Sequence, residues 1–192
     1  MQHLYRLGLA AVLGFFATAG AAAELGVDYV SDSVSRETTY TPGSSTTDNG
    51  SLSGYRVYGA FGAEKSPQVE LFYESLTGDE EIASNSQVAF GLDFLVPFAV
   101  QERLIPHFKF GGAYGWRKLD YKVYRNGSLD DTWYNYSANV GLGLTYMLGD
   151  HLGIKAGGEY IYRVWETMTY RGTDIEPADT VTRLSAGLTY SF

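Results

Sequence analysis

The chain contains no cysteine, which excludes disulfide stapling, thiol chemistry and thiolate-held metals. It has only three histidines among 192 residues, of which His107 and His151 lie beyond the N-terminal segment. No glycine-rich phosphate loop and no metal-ligand spacing occurs. After residue 23 there is also no apolar run near the ~20 residues that a membrane-spanning helix requires. These absences argue against a helical membrane protein, a disulfide scaffold and the commoner catalytic and cofactor-binding sites.

What is present begins at the N-terminus. Arg6 precedes an almost wholly apolar stretch over residues 7–19, and Ala21-Ala22-Ala23 stands just before Glu24. This is the basic, apolar and small-residue order of a secretory signal peptide, expected over residues 1–23. A single domain is expected over residues 24–192. Its composition is unusual for a soluble core, with 16 Tyr, 10 Phe and 3 Trp (15% aromatic) beside 23 Gly.

Periodicity explains that composition. From Tyr134 to Leu148 the even positions read Tyr, Tyr, Ala, Val, Leu, Leu, Tyr, Leu, and the odd positions Asn, Ser, Asn, Gly, Gly, Thr, Met. Alternation of period two over this length marks a strand with one apolar and one polar face. It is longer than the five or six residues usual in soluble sheets. Tyrosines at both ends of the apolar face resemble an interfacial belt.

The same rhythm predicts eight strands over residues 24–31, 54–62, 68–75, 86–94, 104–116, 134–148, 152–164 and 183–192. Even strand number suits a closed membrane barrel. Short turns are expected at 63–67, 96–103 and 149–151. Long outer loops are expected at 32–51, 77–84, around Asn126-Gly127, and at 171–179. The fold class is therefore an all-β, membrane-spanning, eight-stranded antiparallel up-and-down barrel, with both termini on the periplasmic side.

Charges on the strands balance. Glu24, Asp28, Glu70, Glu74, Asp93 and Glu159 stand against Arg56, Lys109, Arg117, Lys155, Arg163 and Arg183. Eight strands enclose a lumen that side chains fill, and charges there must be paired. A lumen ion-pair network is thus expected from Asp28, Arg56, Glu70, Glu74, Asp93, Lys109, Lys155, Glu159, Arg163 and Arg183. The net charge of −8 then falls to the outer loops. That acidity disfavours nucleic acid and other polyanions as partners. Asp79, Glu80, Glu81, Asp130 and Asp131 are candidates for bridging lipopolysaccharide phosphates through divalent cations, although no spacing matches a defined calcium loop.

One segment is overlong. After Trp116 the apolar set continues on the other parity through Leu119, Tyr121 and Val123 to Asn126-Gly127, a strong hairpin-turn signal. A bulge near 117–118 and a protruding, exposed hairpin are expected, with Leu119, Tyr121, Asn126, Gly127 and Trp133 as its marker residues. Such a ribbon offers an edge to an extracellular protein partner.

The last strand places Leu184, Ala186, Leu188, Tyr190 and Phe192 on one face. Here the chain resembles the outer-membrane barrels of Gram-negative bacteria, whose C-terminal aromatic signature is taken to be read by the barrel assembly machinery. Signal peptide, eight alternating strands, long loops and terminal Phe resemble the OmpA transmembrane domain, the OmpX/Ail group and opacity-type surface proteins. The resemblance implies an outer-membrane, monomeric, cofactor-free protein of surface adhesion or envelope integrity, lying among lipid and lipopolysaccharide. The alternative is a small passive channel for ions or hydrophobic compounds, like OmpW. The fold also resembles lipid A deacylases, which use a His-x-Ser pair. Here the sequence reads His107-Phe108-Lys109, without the nucleophile, so no enzyme activity is expected.

Overall fold

The computed structural model describes residues 23–62, 65–78, 86–125, 128–170 and 172–192. The expected signal peptide, except Ala23, lies outside them, as do Asp79, Glu80, Glu81, Asn126 and Gly127. Nine strands occur in these residues: β1 (Ala23–Thr41), β2 (Ser45–Phe61), β3 (Gln68–Gly78), β4 (Ser86–Pro97), β5 (Leu104–Arg125), β6 (Ser128–Met147), β7 (Leu152–Trp165), β8 (Met168–Tyr170) and β9 (Thr173–Ser191). Each long strand pairs antiparallel with the next, and β1 pairs with β9 from Glu24↔Ser191 to Thr41↔Asp174, closing a ring of eight. Closure leaves no sheet edge within the ring, as a span through lipid requires. The three-residue β8 is an appendage between β9 and the far end of β5.

Side chains alternate as the sequence implies, but the usual sense of a core is reversed. The apolar set faces outward: Leu142 is 59% exposed, Leu184 67% and Phe192 68%, whereas Arg56, Arg163 and Arg183 are at most 2% exposed. The hairpin connections near Ala99 and Gly149 are short, and we call this the turn end. At the opposite, ribbon end the strands continue well past the aromatic belt of Tyr29, Tyr55, Tyr114 and Tyr136.

Three expectations are corrected at the ribbon end. The segment 32–51 is not a loop, because β1 and β2 stay paired from Asp32↔Leu52 up to Thr39↔Ser45. The segment 171–179 is largely β9, which begins at Thr173 and runs beside β1. These stretches are rich in Ser and Thr, so they carry no apolar alternation to reveal them; ladder pairing holds them as strands, with Asp32, Val34, Arg36 and Asp179 turned inward. The irregularity in β5 falls between Lys118 and Val123 rather than at 117–118.

A fourth correction concerns the exposed hairpin. Leu119 and Trp133 are buried, at 4% and 3% exposure. Both keep the inward parity of their strands, so these two side chains fold over the barrel mouth instead of projecting from it. Tyr121 is placed on β5 by its backbone alone.

Outward apolar burial in lipid holds this arrangement. Leu142 pairs with Phe108 and Gly158 midway between the aromatic belts. Leu142→Arg is expected to cost about 2–4 kcal/mol there. Urea unfolding in lipid vesicles should show a correspondingly lower midpoint, and an unchanged midpoint would contradict a lipid-facing position.

Candidate functional site

Alternation directs one side chain in two from eight strands into a lumen that only side chains can fill. Two features on β5 and β6 make room for large charged groups. A side chain at Gly111 would collide with the Asp93 carboxylate, and one at Gly143 with the His107 ring. Glycine on these strands is therefore the counterpart of bulk on the neighbouring ones.

The charged side chains form one continuous column. Near the turn end, Lys155 Nζ lies 2.6 Å from Glu70 Oε2. Lys109 Nζ joins Glu70 at 3.3 Å, Asp93 at 3.0 Å and Glu159 at 3.1 Å. Arg56 occupies the centre, 3.2 Å from Glu74, 3.3 Å from Asp93, 3.4 Å from Glu159 and 3.8 Å from Glu70. Its guanidinium also lies 4.0 Å from the centre of the Phe72 ring. Arg183 then grips Glu74 and Asp32, each at 2.6 Å. Arg163 links Asp32 at 3.9 Å to Asp179 at 3.2 Å, and Arg36 ends the chain 2.7 Å from Asp179. Asn139 donates to Asp93 at 2.9 Å, satisfying a further lone pair.

The structure thus brings together nine of the ten residues that the sequence assigns to a lumen network. Asp28 stands apart: it faces inward and is buried, but no cation of the described residues lies within ion-pair distance. Asp32, Arg36 and Asp179, from segments expected as loops, complete the column. Their signal was parity, since Asp32 and Arg36 share the even phase of Asp28 on β1, and Asp179 lies four residues from Arg183 on β9. Arg117 is buried beside the column, donating to Gln87 Oε1 at 3.4 Å.

A cap closes the ribbon end. Trp133 and Trp165 pack with ring centres 4.6 Å apart, and Leu119, Met168 and Ile175 complete the cluster. Trp133 Nε1 donates to the Glu166 carbonyl and Trp165 Nε1 to Asp179, each at 2.8 Å. Arg36 lies 5.3 Å from the Trp165 ring centre and 5.8 Å from that of Trp133. Asp179 therefore receives Arg36, Arg163 and Trp165 together, joining the charge column to the cap.

Between these parts, Val30, Val34, Leu52, Leu76, Ile161 and Val181 form an apolar patch inside the lumen. Small cavities of about 10 Å³, the room of about one water, lie beside His107 and Lys155 and beside Arg56 and Asn139. His107 faces the lumen at the turn end, with Nδ1 3.4 Å from the Ile105 carbonyl. No group of three His, Asp or Glu converges as a metal set among the described residues. Leu184, Ala186, Leu188 and Tyr190 lie on the outer face of β9, with the exposed Phe192 just beyond its end, and Lys118 meets Asp131 at 3.7 Å on the ribbons.

A closed eight-stranded wall, apolar outside and ion-paired inside, defines a small membrane-spanning barrel of outer-membrane type. No protein-family model and no curated protein matches the chain. Solved structures do. The outer membrane protein OprG from Pseudomonas aeruginosa aligns with a TM-score of 0.56 at 12% identity, over 90% of this chain and 96% of that one. Neisserial surface protein A aligns at 0.54 and 14% identity, over 86% and 97%. Ail, the attachment invasion locus protein of Yersinia pestis, in complex with the heparin analogue sucrose octasulfate, aligns at 0.52 and 15% identity, over 91% and 100%. These likenesses establish the fold, and they agree with the small-barrel resemblance of the sequence.

Removing one member of a buried ion-pair network strands its partners, at about 3–5 kcal/mol. Arg56→Met should leave Glu74, Asp93 and Glu159 short of a cation and lower the temperature at which the folded band converts to the unfolded one in semi-native electrophoresis. An unchanged conversion temperature would show that the column does not support the fold.

Proposed function

We propose that this protein is an integral outer-membrane barrel with a closed lumen, acting as a structural or surface-interaction protein through its ribbon end. The observation that carries this reading is the continuous column of six cations and six carboxylates beneath a tryptophan cap. A side-chain plug of this kind does not serve bulk passage.

In this reading the signal peptide is removed near Ala23, both termini face the periplasm, and the ribbons stand outside the cell. Outer-leaflet lipid and lipopolysaccharide surround the wall, and Asp131, with Asp79, Glu80, Glu81 and Asp130, is available for cation-bridged phosphate contact. The outward C-terminal residues serve as the assembly signal, and a closed ring has no edge that forces association, which favours a monomer. An extracellular protein is the partner class that the ribbons suit. The heparin analogue bound by Ail is not carried over, because the exposed Glu37, Asp48 and Glu176 of these ribbons would repel a polyanion. Neither the column nor His107 offers a nucleophile, so the reading includes no enzymatic step.

Planar-bilayer recording on the refolded protein tests the closed lumen. No discrete openings are expected at neutral pH. Regular, ion-selective openings would instead favour the small-channel alternative. Trp165→Ala should remain silent under the proposal, because the ion column closes the lumen below the cap; openings in that variant alone would shift the closure to the cap.

A further inference from the structure

The aromatic belt at the ribbon end is not level. The line of outward partners that leaves β1 at Val27 runs through Tyr73, Tyr114 and Val164 and returns to β1 at Glu37, ten residues nearer the ribbon tip. Such a stagger is what closes a tilted barrel, and it sets Tyr136, five strands along, about six residues higher than Val27, level with Ser33. At that level the two sides of the wall differ. On β9, β1 and β2 the outward residues are Thr180, Thr182, Ser33, Ser35, Ser51 and Ser53. On β5, β6 and β7 they are Trp116, Tyr134, Tyr136, Tyr162 and Val164.

Unequal apolar runs produce this difference. Outward residues carry no polar side chain but tyrosine and tryptophan from Leu104 to Trp116 on β5, from Tyr134 to Leu148 on β6 and from Leu152 to Val164 on β7. Each run exceeds the ~9–11 residues that a membrane strand needs. All three begin at the turn end, where Leu104 pairs with Tyr146 and Leu152 with Tyr190, so the surplus lies at the ribbon end. On β1 the outward face turns to serine directly after Tyr29, which leaves the apolar wall about 10 Å taller on the far side. The rings of the taller side touch one another. Tyr114 has its ring centre 5.1 Å from Tyr136, 5.7 Å from Tyr134 and 6.3 Å from Trp116. Tyr136 and Tyr162 are 61% and 52% exposed.

We propose that Trp116, Tyr134, Tyr136 and Tyr162 form a one-sided shelf for the core sugars of lipopolysaccharide. The proposal rests on the reading that the ribbon end faces out of the cell, and it adds a side and a chemistry to the lipopolysaccharide contact. The shelf continues the lipid-facing wall upward, so its occupant is a molecule that itself continues from lipid into water. Acyl chains alone do not suit it, because they would leave three tyrosine hydroxyls and an indole N–H without partners. A pyranose does: its C–H face packs on a ring while its hydroxyls meet the polar rim of the same side chains. The shelf residues are uncharged, which favours sugar over phosphate. An added protein strand finds no edge here, since β5, β6 and β7 pair with one another along this stretch.

The test is NMR of the refolded full barrel in nanodiscs doped with either lipid A or rough lipopolysaccharide that carries its core sugars, both with Mg²⁺. The amide signals of Trp116, Tyr134, Tyr136 and Tyr162, and the Trp116 indole signal, should shift with the core-bearing form only. Those of Ser33, Ser51 and Thr180 should stay in place. A Trp116→Ser, Tyr134→Ser double variant, which gives this side the hydroxyls of β1, should need about tenfold more lipopolysaccharide for the same shift at Tyr136. Should the double variant fail to refold, Tyr134→Ser carries the test with a smaller loss. Equal shifts with lipid A overturn the sugar assignment, and equal shifts on β1 and β9 overturn the one-sided shelf. An undiminished response in the variants shows that the rings do not bind. The orientation is read separately. The chain has no cysteine, so Thr47→Cys on the exposed β1–β2 ribbon can be labelled in intact cells with an impermeant maleimide. Labelling without shelf shifts overturns the sugar site alone, and shelf shifts without labelling overturn the outward orientation.

Discussion

Everything inside this barrel depends on how Arg56 is satisfied. Closing eight alternating strands forces half of their side chains into a space without bulk water, where an unpaired guanidinium costs several kcal/mol. Arg56 meets that constraint by touching carboxylates from three other strands: Glu70 and Glu74 on β3, Asp93 on β4 and Glu159 on β7. One side chain thus ties positions distant in sequence and opposite in the ring. The remaining cations extend the same solution toward both ends.

Net stability is not the strongest reason for such a column, since apolar packing of equal volume can match or exceed a buried ion network. Register is a better one. A strand slipped by one residue would turn Arg56 or Glu70 toward lipid and Val57 or Leu71 into the lumen. Ion pairs spread over seven strands penalise every such slip, on a wall whose outward residues are otherwise interchangeable aliphatics and aromatics. The inward glycines act in the same direction. Asp93 requires Gly111 beside it, and a shift that brought Phe110 or Lys109 to that place would collide with it.

The wall and the centre of the lumen were legible in the sequence because parity carries both at once. Once Tyr134, Tyr136 and Leu142 are set outward, the phase of β6 is fixed, and Asp93 and Arg56 follow on their own strands by the same logic. The ribbons were harder to read. Ser, Thr and Asp alternate with one another along residues 32–51, so nothing apolar marks the outward phase and the segment resembles a loop. Asp32, Arg36 and Asp179 were missed for that reason. Trp133 was misread for a different one: aromatics serve both the outer belt and the cap, and residue type alone does not separate them. Its odd parity, shared with Asn135 and Asn139, pointed inward. Asp28 shows the limit of counting, because six acids and six bases balance in number while the actual pairing leaves Asp28 out and draws in residues from the ribbons.

The cap explains why the chain carries so much strand beyond the membrane. A column of charge ending at an open mouth would meet water at Arg36 and Asp179, where exposed pairs contribute little. Trp133 and Trp165, supported by Leu119 and Met168, exclude that water and keep the last ion pairs in the same low-dielectric setting as the first. Asp179, held by Arg36, Arg163 and the Trp165 indole, makes the closure of the mouth and the packing of the lumen one connected structure. The pairing of Tyr124 with Thr169 then draws the far end of β5 to β8, so the two ribbon systems meet above the mouth. Among the described residues the ribbon end is therefore a pinned surface. Binding there would begin from an ordered platform and would cost less conformational entropy than recruiting flexible segments.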